Sequence, residues 1–285
     1  MKLAFFNDYQ LGVITEDGIV DITGALSGVS YHTPQELIRT VIEDFENLRP
    51  TIESAVGNGT AIALDSVSLN APVPRPGQLV CLAGNYIEPD SPSRGDFNAF
   101  LKSPTGIIAT KGTVELPEAD VTVFHFEPEL AIVIGKTAKH LSEDNALDCV
   151  FGYTQFIDVS ARGLPGGFFL GKSWHTFAPM GPAIVTADEV GDGNSLGVQL
   201  WINDGLQHDF STNSMARFIP ELLAEVTSVV TLEPGDVVST GTHHEALTAI
   251  GDGDTVRLSV EGFGPELTVS VSDPLKRTTW RGEDV

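Results

Sequence analysis

The chain of 285 residues carries 16 Lys and Arg against 39 Asp and Glu, a formal charge of −23. Phosphate-rich partners need clustered Lys and Arg, so nucleic acid and anionic membrane surfaces are excluded, and 41% hydrophobic residues exclude a disordered acidic tail. No apolar run approaches the ~20 residues of a spanning helix, the leading LAFF is too short for a signal peptide, and Cys81 and Cys149 form neither a disulfide framework nor a metal spacing, so a cytoplasmic protein is expected.

Residues 1–70 read as a small N-terminal α+β domain. Its runs LAFF, LGVI and GIVDI, separated by Asn7-Asp8 and Asp17-Gly18, predict a small antiparallel sheet. Thr33-Pro34 then supplies a cap and a first-turn proline, and Leu37, Ile38, Val41, Ile42 and Phe45 follow at helical spacing. Residues 71–78, APVPRPGQ, read as a linker. The remainder, 79–285, is rich in β-branched runs: ELAIVIG, FGYTQFIDV, PAIVTA, VQLWIND, DVVSTGT, DTVRLSV and ELTVSV. One helix is expected from Ser142 through Val150, and another from Asn213 to about Val230. Many strands and few helices predict an α+β fold, mostly β, with a barrel or roll. The segment Tyr86–Asn98, poor in apolar residues and rich in Pro and Ser, reads as a lid within a loop at about 86–100.

Glu127-Pro128-Glu129 runs into the apolar strand LAIVIG. Residues two apart in a strand share a face, so the two carboxylates point the same way. Asp158 ends another apolar run, and if the two strands are neighbours, three carboxylates converge. Two ionised carboxylates ~4 Å apart repel by roughly 4 kcal/mol at an effective dielectric near 20. Such a group needs protonation or a cation, and hard oxygen donors favour Mg²⁺, Mn²⁺ or Ca²⁺ over zinc. On spacing alone, Glu-x-Glu is a weak motif and solvated acids at strand ends are the leading reading. His125, just before the pair, is expected to project to the other face. His32, His140 and His208 belong to no visible constellation.

The blocks FEPELAIVIGK, EDNALDCVFGYTQFIDVSARG, GKSWHTFAPMGPAIVTADE, LEPGDVVSTGT and GDGDTVRLSVEGFG, in that order across about 79–271, resemble the fumarylacetoacetate hydrolase family. The small leading module resembles that of its shorter bacterial members. The resemblance implies a mixed β-roll or barrel catalytic domain, a homodimer, and a small oxo acid as substrate. It implies one divalent cation, Mg²⁺ foremost with Mn²⁺ and Ca²⁺ as alternatives, held by Glu127, Glu129 and Asp158. Lys172, in GKSW, matches the family's lysine facing the substrate oxygens, where it would stabilise an oxyanion. Arg162, in DVSARG, matches an arginine able to clamp a carboxylate. Tyr86 and Thr242 fall in segments bordering the family's pocket and are assigned to substrate binding.

The chain also departs from the pattern. Hydrolytic members carry Asn-Tyr and, three residues after the Tyr, a histidine paired with an acid; here Asn85-Tyr86 is followed by Pro89, which neither accepts nor donates a proton. Glu88 and Asp90 flank that gap. Histidines stand elsewhere instead: His175 where the family has an aspartate, and His243 and His244 after Ser239-Thr240-Gly241-Thr242, where a proline and a small residue are usual. His243 and His244 are therefore candidates for a relocated base. The expected activity is metal-dependent hydrolysis of a C–C bond in a 2,4-dioxo acid such as an acylpyruvate or a fumarylpyruvate-like acid. The alternatives are 2-oxo acid decarboxylation, keto–enol isomerisation, or a metal-binding scaffold without turnover.

Overall fold

Three short strands, buried along nearly all of their length, open the chain. In the computed structural model, which describes residues 1–88 and 93–280, β1 (Lys2–Phe6), β2 (Gln10–Thr15) and β3 (Gly18–Asp21) form an antiparallel meander. Helix α1 (Pro34–Glu43) starts where its cap predicts. Thr33 Oγ1 accepts the Glu36 N–H at 3.2 Å and Glu36 Oε2 accepts the Thr33 N–H at 3.3 Å, a reciprocal capping box. Its buried face holds Leu37, Ile38, Val41 and Ile42. Phe45, expected to end this helix, instead opens a second one, α2 (Phe45–Asn58), which the sequence reading does not anticipate. Only Phe45 and Ile52 of α2 are buried, so its hydrophobic period is faint, and Pro50 lies inside it.

The rest of the chain contributes β4 (Leu79–Leu82), β5 (Ala99–Leu101), β6 (Ile107–Ile108), β7 (Thr113–Glu115), β8 (Phe124–Ile134), α3 (Glu143–Ala146), β9 (Val150–Ala161), α4 (Gly167–Lys172), β10 (Ala178–Pro179), β11 (Ile184–Thr186), α5 (Ala187–Val190), β12 (Gly197–Ile202), β13 (Gly205–Ser211), α6 (Ile219–Val229), β14 (Val237–Ser239), β15 (Thr255–Val260) and β16 (Leu267–Ser272). Among the described residues these make a nine-stranded sheet, ordered β3-β2-β1-β11-β9-β8-β14-β4-β5, a five-stranded sheet, β13-β12-β15-β16-β7, and a short parallel pair, β10-β6. The fold is α+β and mostly β. The N-terminal meander is hydrogen-bonded into the large sheet, since Lys2 and Leu3 of β1 pair with Val185 and Ile184 of β11.

The eleven-residue β8 is buried along its whole length and divides two cores. Leu130, Ile132 and Ile134 pack in the cluster that includes α6 and the five-stranded sheet. Ala131 and Val133, on the opposite face, belong to the cluster containing α1 and β1. Along that second face, towards the start of β8, apolar residues give way to Glu129, Glu127 and His125.

Helix α6 begins at Ile219, six residues later than expected. Pro220 belongs in a first turn, where its missing N–H costs nothing, so the helix starts beside it. The preceding residues hold the Asn85-Tyr86 segment instead: the Ala216 N–H donates to Asn85 O at 2.7 Å, and Met215 bridges to Tyr86. The expected helix from Ser142 to Val150 is one α-turn, α3, followed by a 3-10 turn over Leu147–Cys149.

Candidate active site

Strands β8 and β9 pair antiparallel over their full length, with Glu127 opposite Asp158 and Glu129 opposite Phe156. That register brings one oxygen from each of Glu127, Glu129 and Asp158 within 4.8 Å of the others, and all three residues are buried. Buried carboxylates persist only when compensated, and the partners here are unequally shared. Lys172 Nζ, at the end of α4, donates to Glu127 Oε2 at 2.8 Å, Asp158 Oδ2 at 2.6 Å and Ser160 Oγ at 2.6 Å. Lys102 Nζ donates to Asp158 Oδ1 and to the Val159 carbonyl at 3.0 Å. Arg162 donates to Glu127 Oε1.

All three cations therefore serve Glu127 and Asp158. Among the described residues Glu129 receives only neutral donors on Oε2, the Ser239 hydroxyl and the Gly241 N–H at 3.3 Å, and its buried Oε1 has no partner. Gly241 has φ +82°, a left-handed conformation that glycine takes without strain and that turns its N–H onto the carboxylate. The electrostatics follow. Burial opposes ionisation of Glu127, but Lys172 and Arg162 outweigh it and hold the carboxyl well below the usual range. Burial, then the Asp158 and Glu127 charges, push the Glu129 carboxyl well above that range. Lys172 is disfavoured as a cation by burial, yet Asp158 and Glu127 raise its pKa. An oxygen-only donor set with one buried, unsatisfied carboxylate oxygen fits a hard divalent cation; neither thiol nor imidazole belongs to it.

His125 does not project away. Positions 125, 127 and 129 share strand parity, so His125 lies on the carboxylate face, opposite Ser160, with its Nδ1 3.4 Å from Arg162 Nε. Burial, reinforced by Arg162, lowers its pKa to about 4, so it is a neutral ring. Lys102 is absent from the sequence reading. In the structure Lys102 follows Phe100 at strand spacing and is buried like it, while Leu101 between them is exposed; a single lysine after a three-residue strand carries no motif that announces this. Ser160 and Ser239, which bond Glu127 and Glu129, were likewise unmarked.

A second group of predicted residues gathers around the loop after β14. Asn85 Nδ2 donates to the carbonyls of Arg217, at 3.2 Å, and Thr240, at 3.0 Å, tying the segment after β4 to this loop. Tyr86 is buried, with its ring edge-on to Phe210 at 5.2 Å and near His243 at 6.4 Å. His208 joins the same aromatic cluster, 6.3 Å from Phe210. Thr242 is buried, and its hydroxyl has no partner among the described residues. His244 meets Glu88 rather than the aromatic cluster, its Nδ1 3.0 Å from Glu88 Oε1. His175 stands apart from both groups, exposed just beyond α4. Pro89 and Asp90 lie outside the described residues.

Comparison with known proteins agrees with this geometry. A family model described as fumarylacetoacetate (FAA) hydrolase C-terminal matches residues 80–271. A maleylpyruvate hydrolase of Aquipseudomonas alcaligenes is 31% identical over 288 residues, covering 95% of this chain and 99% of the relative. A mitochondrial oxaloacetate tautomerase of Xenopus laevis is 33% identical over 254 residues, covering 84% and 78%. The crystal structure of maleylpyruvate hydrolase from Sphingobium sp. SYK-6, in complex with manganese(II) ion and pyruvate, superposes with a TM-score of 0.86 at 37% identity, covering 96% of this chain and 99% of that one.

Proposed function

The chain belongs to the fumarylacetoacetate hydrolase family and is an enzyme, and from that premise we propose that it is a divalent-metal-dependent hydrolase cleaving a C–C bond in a small 2,4-dioxo acid of the acylpyruvate type. The observation that carries this reading is the buried Glu127–Glu129–Asp158 group, with a carboxylate oxygen lacking a partner beside Lys172. The likeness to a hydrolase solved with manganese and pyruvate supports the same chemistry.

Glu127, Glu129 and Asp158 hold the cation, for which Mg²⁺ is the first choice and Mn²⁺ the second. When bound, it supplies Lewis-acid polarisation of the 2-oxo and carboxylate oxygens of a pyruvoyl group. Lys172 contributes a fixed positive charge to the oxyanion that develops. Its N–H on Ser160 is the one it can exchange for a substrate oxygen without uncovering a carboxylate. Arg162, whose side chain is 30% exposed, offers its free guanidinium N–H groups to the substrate carboxylate. Buried Tyr86 and Thr242 shape the facing wall, and the unsatisfied Thr242 hydroxyl is available to a substrate oxygen.

The test is NMR of acetylpyruvate and oxaloacetate incubated with pure protein and Mg²⁺ or Mn²⁺, with an EDTA control. The expected result is acetate plus pyruvate from acetylpyruvate, suppressed by EDTA. The relationship to an oxaloacetate tautomerase favours a second reading, keto–enol isomerisation. Metal-dependent interconversion of oxaloacetate tautomers with acetylpyruvate left intact would replace hydrolysis by that reading. Pyruvate and CO₂ from oxaloacetate, above the free-metal background, would replace it by decarboxylation.

A further inference from the structure

Glu88 and His244 are 156 residues apart in sequence and meet through a hydrogen bond on the loop that follows β14. Gly241, three residues before His244, donates to Glu129, and a charge on the His244 ring acts on both Glu127 and His125. Glu88 Oε1 accepts the His244 backbone N–H at 2.7 Å and lies 3.0 Å from the ring Nδ1. One oxygen thus anchors the residue twice, through its backbone and through its ring.

We propose that Glu88 and His244 form an acid–histidine dyad in which His244 Nε2 is the base for the attacking water and Glu88 is the residue that positions it. This rests on the hydrolase reading above and identifies the proton acceptor that Pro89 cannot be. A carboxylate oxygen only accepts hydrogen bonds, so Nδ1 carries the ring hydrogen and Nε2 carries the lone pair. Nε2 has no hydrogen bond to the described residues, and the His244 side chain is 37% exposed whereas Glu88 is 16% exposed. The base is open to water and a small substrate while its anchor is shielded. His243, the other candidate, is differently placed. Its ring packs against Tyr86 and Phe210 and its Nδ1 is 4.0 Å from Glu245, so it positions the loop. Relative to the pattern in which the histidine follows Asn-Tyr, this chain has exchanged sides: the acid follows Asn85-Tyr86 and the histidine comes from the loop facing it.

The step balances. Nε2 takes one proton from water, and the hydroxyl oxygen bonds to the acyl carbon of the 2,4-dioxo acid. Collapse breaks the C3–C4 bond, whose electron pair goes to the pyruvate enolate. The proton held by His244 is then delivered to C3, giving pyruvate and the carboxylic acid.

The test uses the full-length protein with acetylpyruvate and Mn²⁺, together with ¹⁵N NMR of the histidine rings without substrate. H244A is expected to lower kcat by about 10²-fold or more, with unchanged circular dichroism, and added imidazole is expected to restore part of the rate. E88A is expected to lower kcat by about 10-fold through the loss of positioning. H244A within about threefold of wild type, or a loss that imidazole does not touch, would overturn the proposal even with wild-type hydrolysis intact. The ring spectrum serves independently of turnover. His244 is expected as the Nδ1–H tautomer, changing in E88A, and an Nε2–H tautomer in wild type would overturn the dyad whatever the substrate. If wild type cleaves no acetylpyruvate, the hydrolase reading fails and the role of base falls with it, while the spectrum still decides the pairing.

Discussion

Asp158 takes an ammonium on each oxygen, Lys102 on Oδ1 and Lys172 on Oδ2, and all three side chains are almost fully buried. Lys102→Met keeps most of the volume but leaves Oδ1 uncompensated. Breaking a buried pair in this way costs about 3–5 kcal/mol, so urea unfolding of the metal-free variant is expected to show a loss of that order. Mn²⁺ is expected to recover part of it by replacing the missing charge, and a loss below about 1 kcal/mol would contradict the role assigned to Lys102. At this scale the sequence was readable where a motif carried the chemistry. Glu-x-Glu gave a shared face from strand geometry alone, and the family resemblance of GKSW singled out Lys172. His125 was misread there, since two-residue parity places it beside Glu127 rather than on the other face. Lys102, Ser160 and Ser239 were not readable: Ser160 and Ser239 bond residues that only the β8–β9 and β8–β14 pairings bring near them, and Lys102, just after β5, reaches Asp158 from a strand paired with neither β8 nor β9.

Helix α1 and strands β8 and β9 show how much an element reveals before it is folded. Thr33-Pro34 marks the N-terminus as read, and the structure adds Glu36, which closes a capping box with Thr33. Thr33→Ala is expected to cost roughly 1 kcal/mol, measured as a lower urea midpoint at unchanged slope; no shift would show that the N-terminal helix adds nothing to the cooperative unit. The long strands announced themselves by β-branched runs. Helix α2 did not, because with two buried residues its pattern carries little amphipathic period. The start of α6 was misplaced because Met215 and Phe218 are apolar for different reasons. Met215 packs in the core beside Tyr86, whereas Phe218 merely precedes the helix as its cap.

The whole molecule joins its parts through one nine-stranded sheet, a pairing of β1 with β11 that no local pattern announces. Its net charge of −23 is self-repulsive. Raising salt from a few millimolar to 0.15 M, where the Debye length falls to ~8 Å, is expected to raise the melting temperature, and a fall would contradict that account. Acid is expected to destabilise the fold through His208. Burial is the first cause that lowers its pKa from 6.5 to about 4. Above pH 6.5 the ring is neutral folded and unfolded. Between pH 6.5 and 4 only the unfolded chain takes the proton, so stability falls across that window, by roughly 3 kcal/mol when complete. His208→Phe is expected to lessen the fall between those pH values in urea titrations, the remainder belonging to His125, whose pKa burial lowers as far; an unchanged slope would contradict the role of His208. Whether the buried carboxylates hold the cation on which turnover depends is decided by calorimetric titration of Mn²⁺ into wild type and Glu129→Gln, with acetylpyruvate turnover followed on the same samples. One Mn²⁺ per chain is expected in wild type, and in the variant an intact fold with affinity and turnover lost together. Glu129→Gln binding Mn²⁺ as tightly as wild type at full turnover would contradict that expectation.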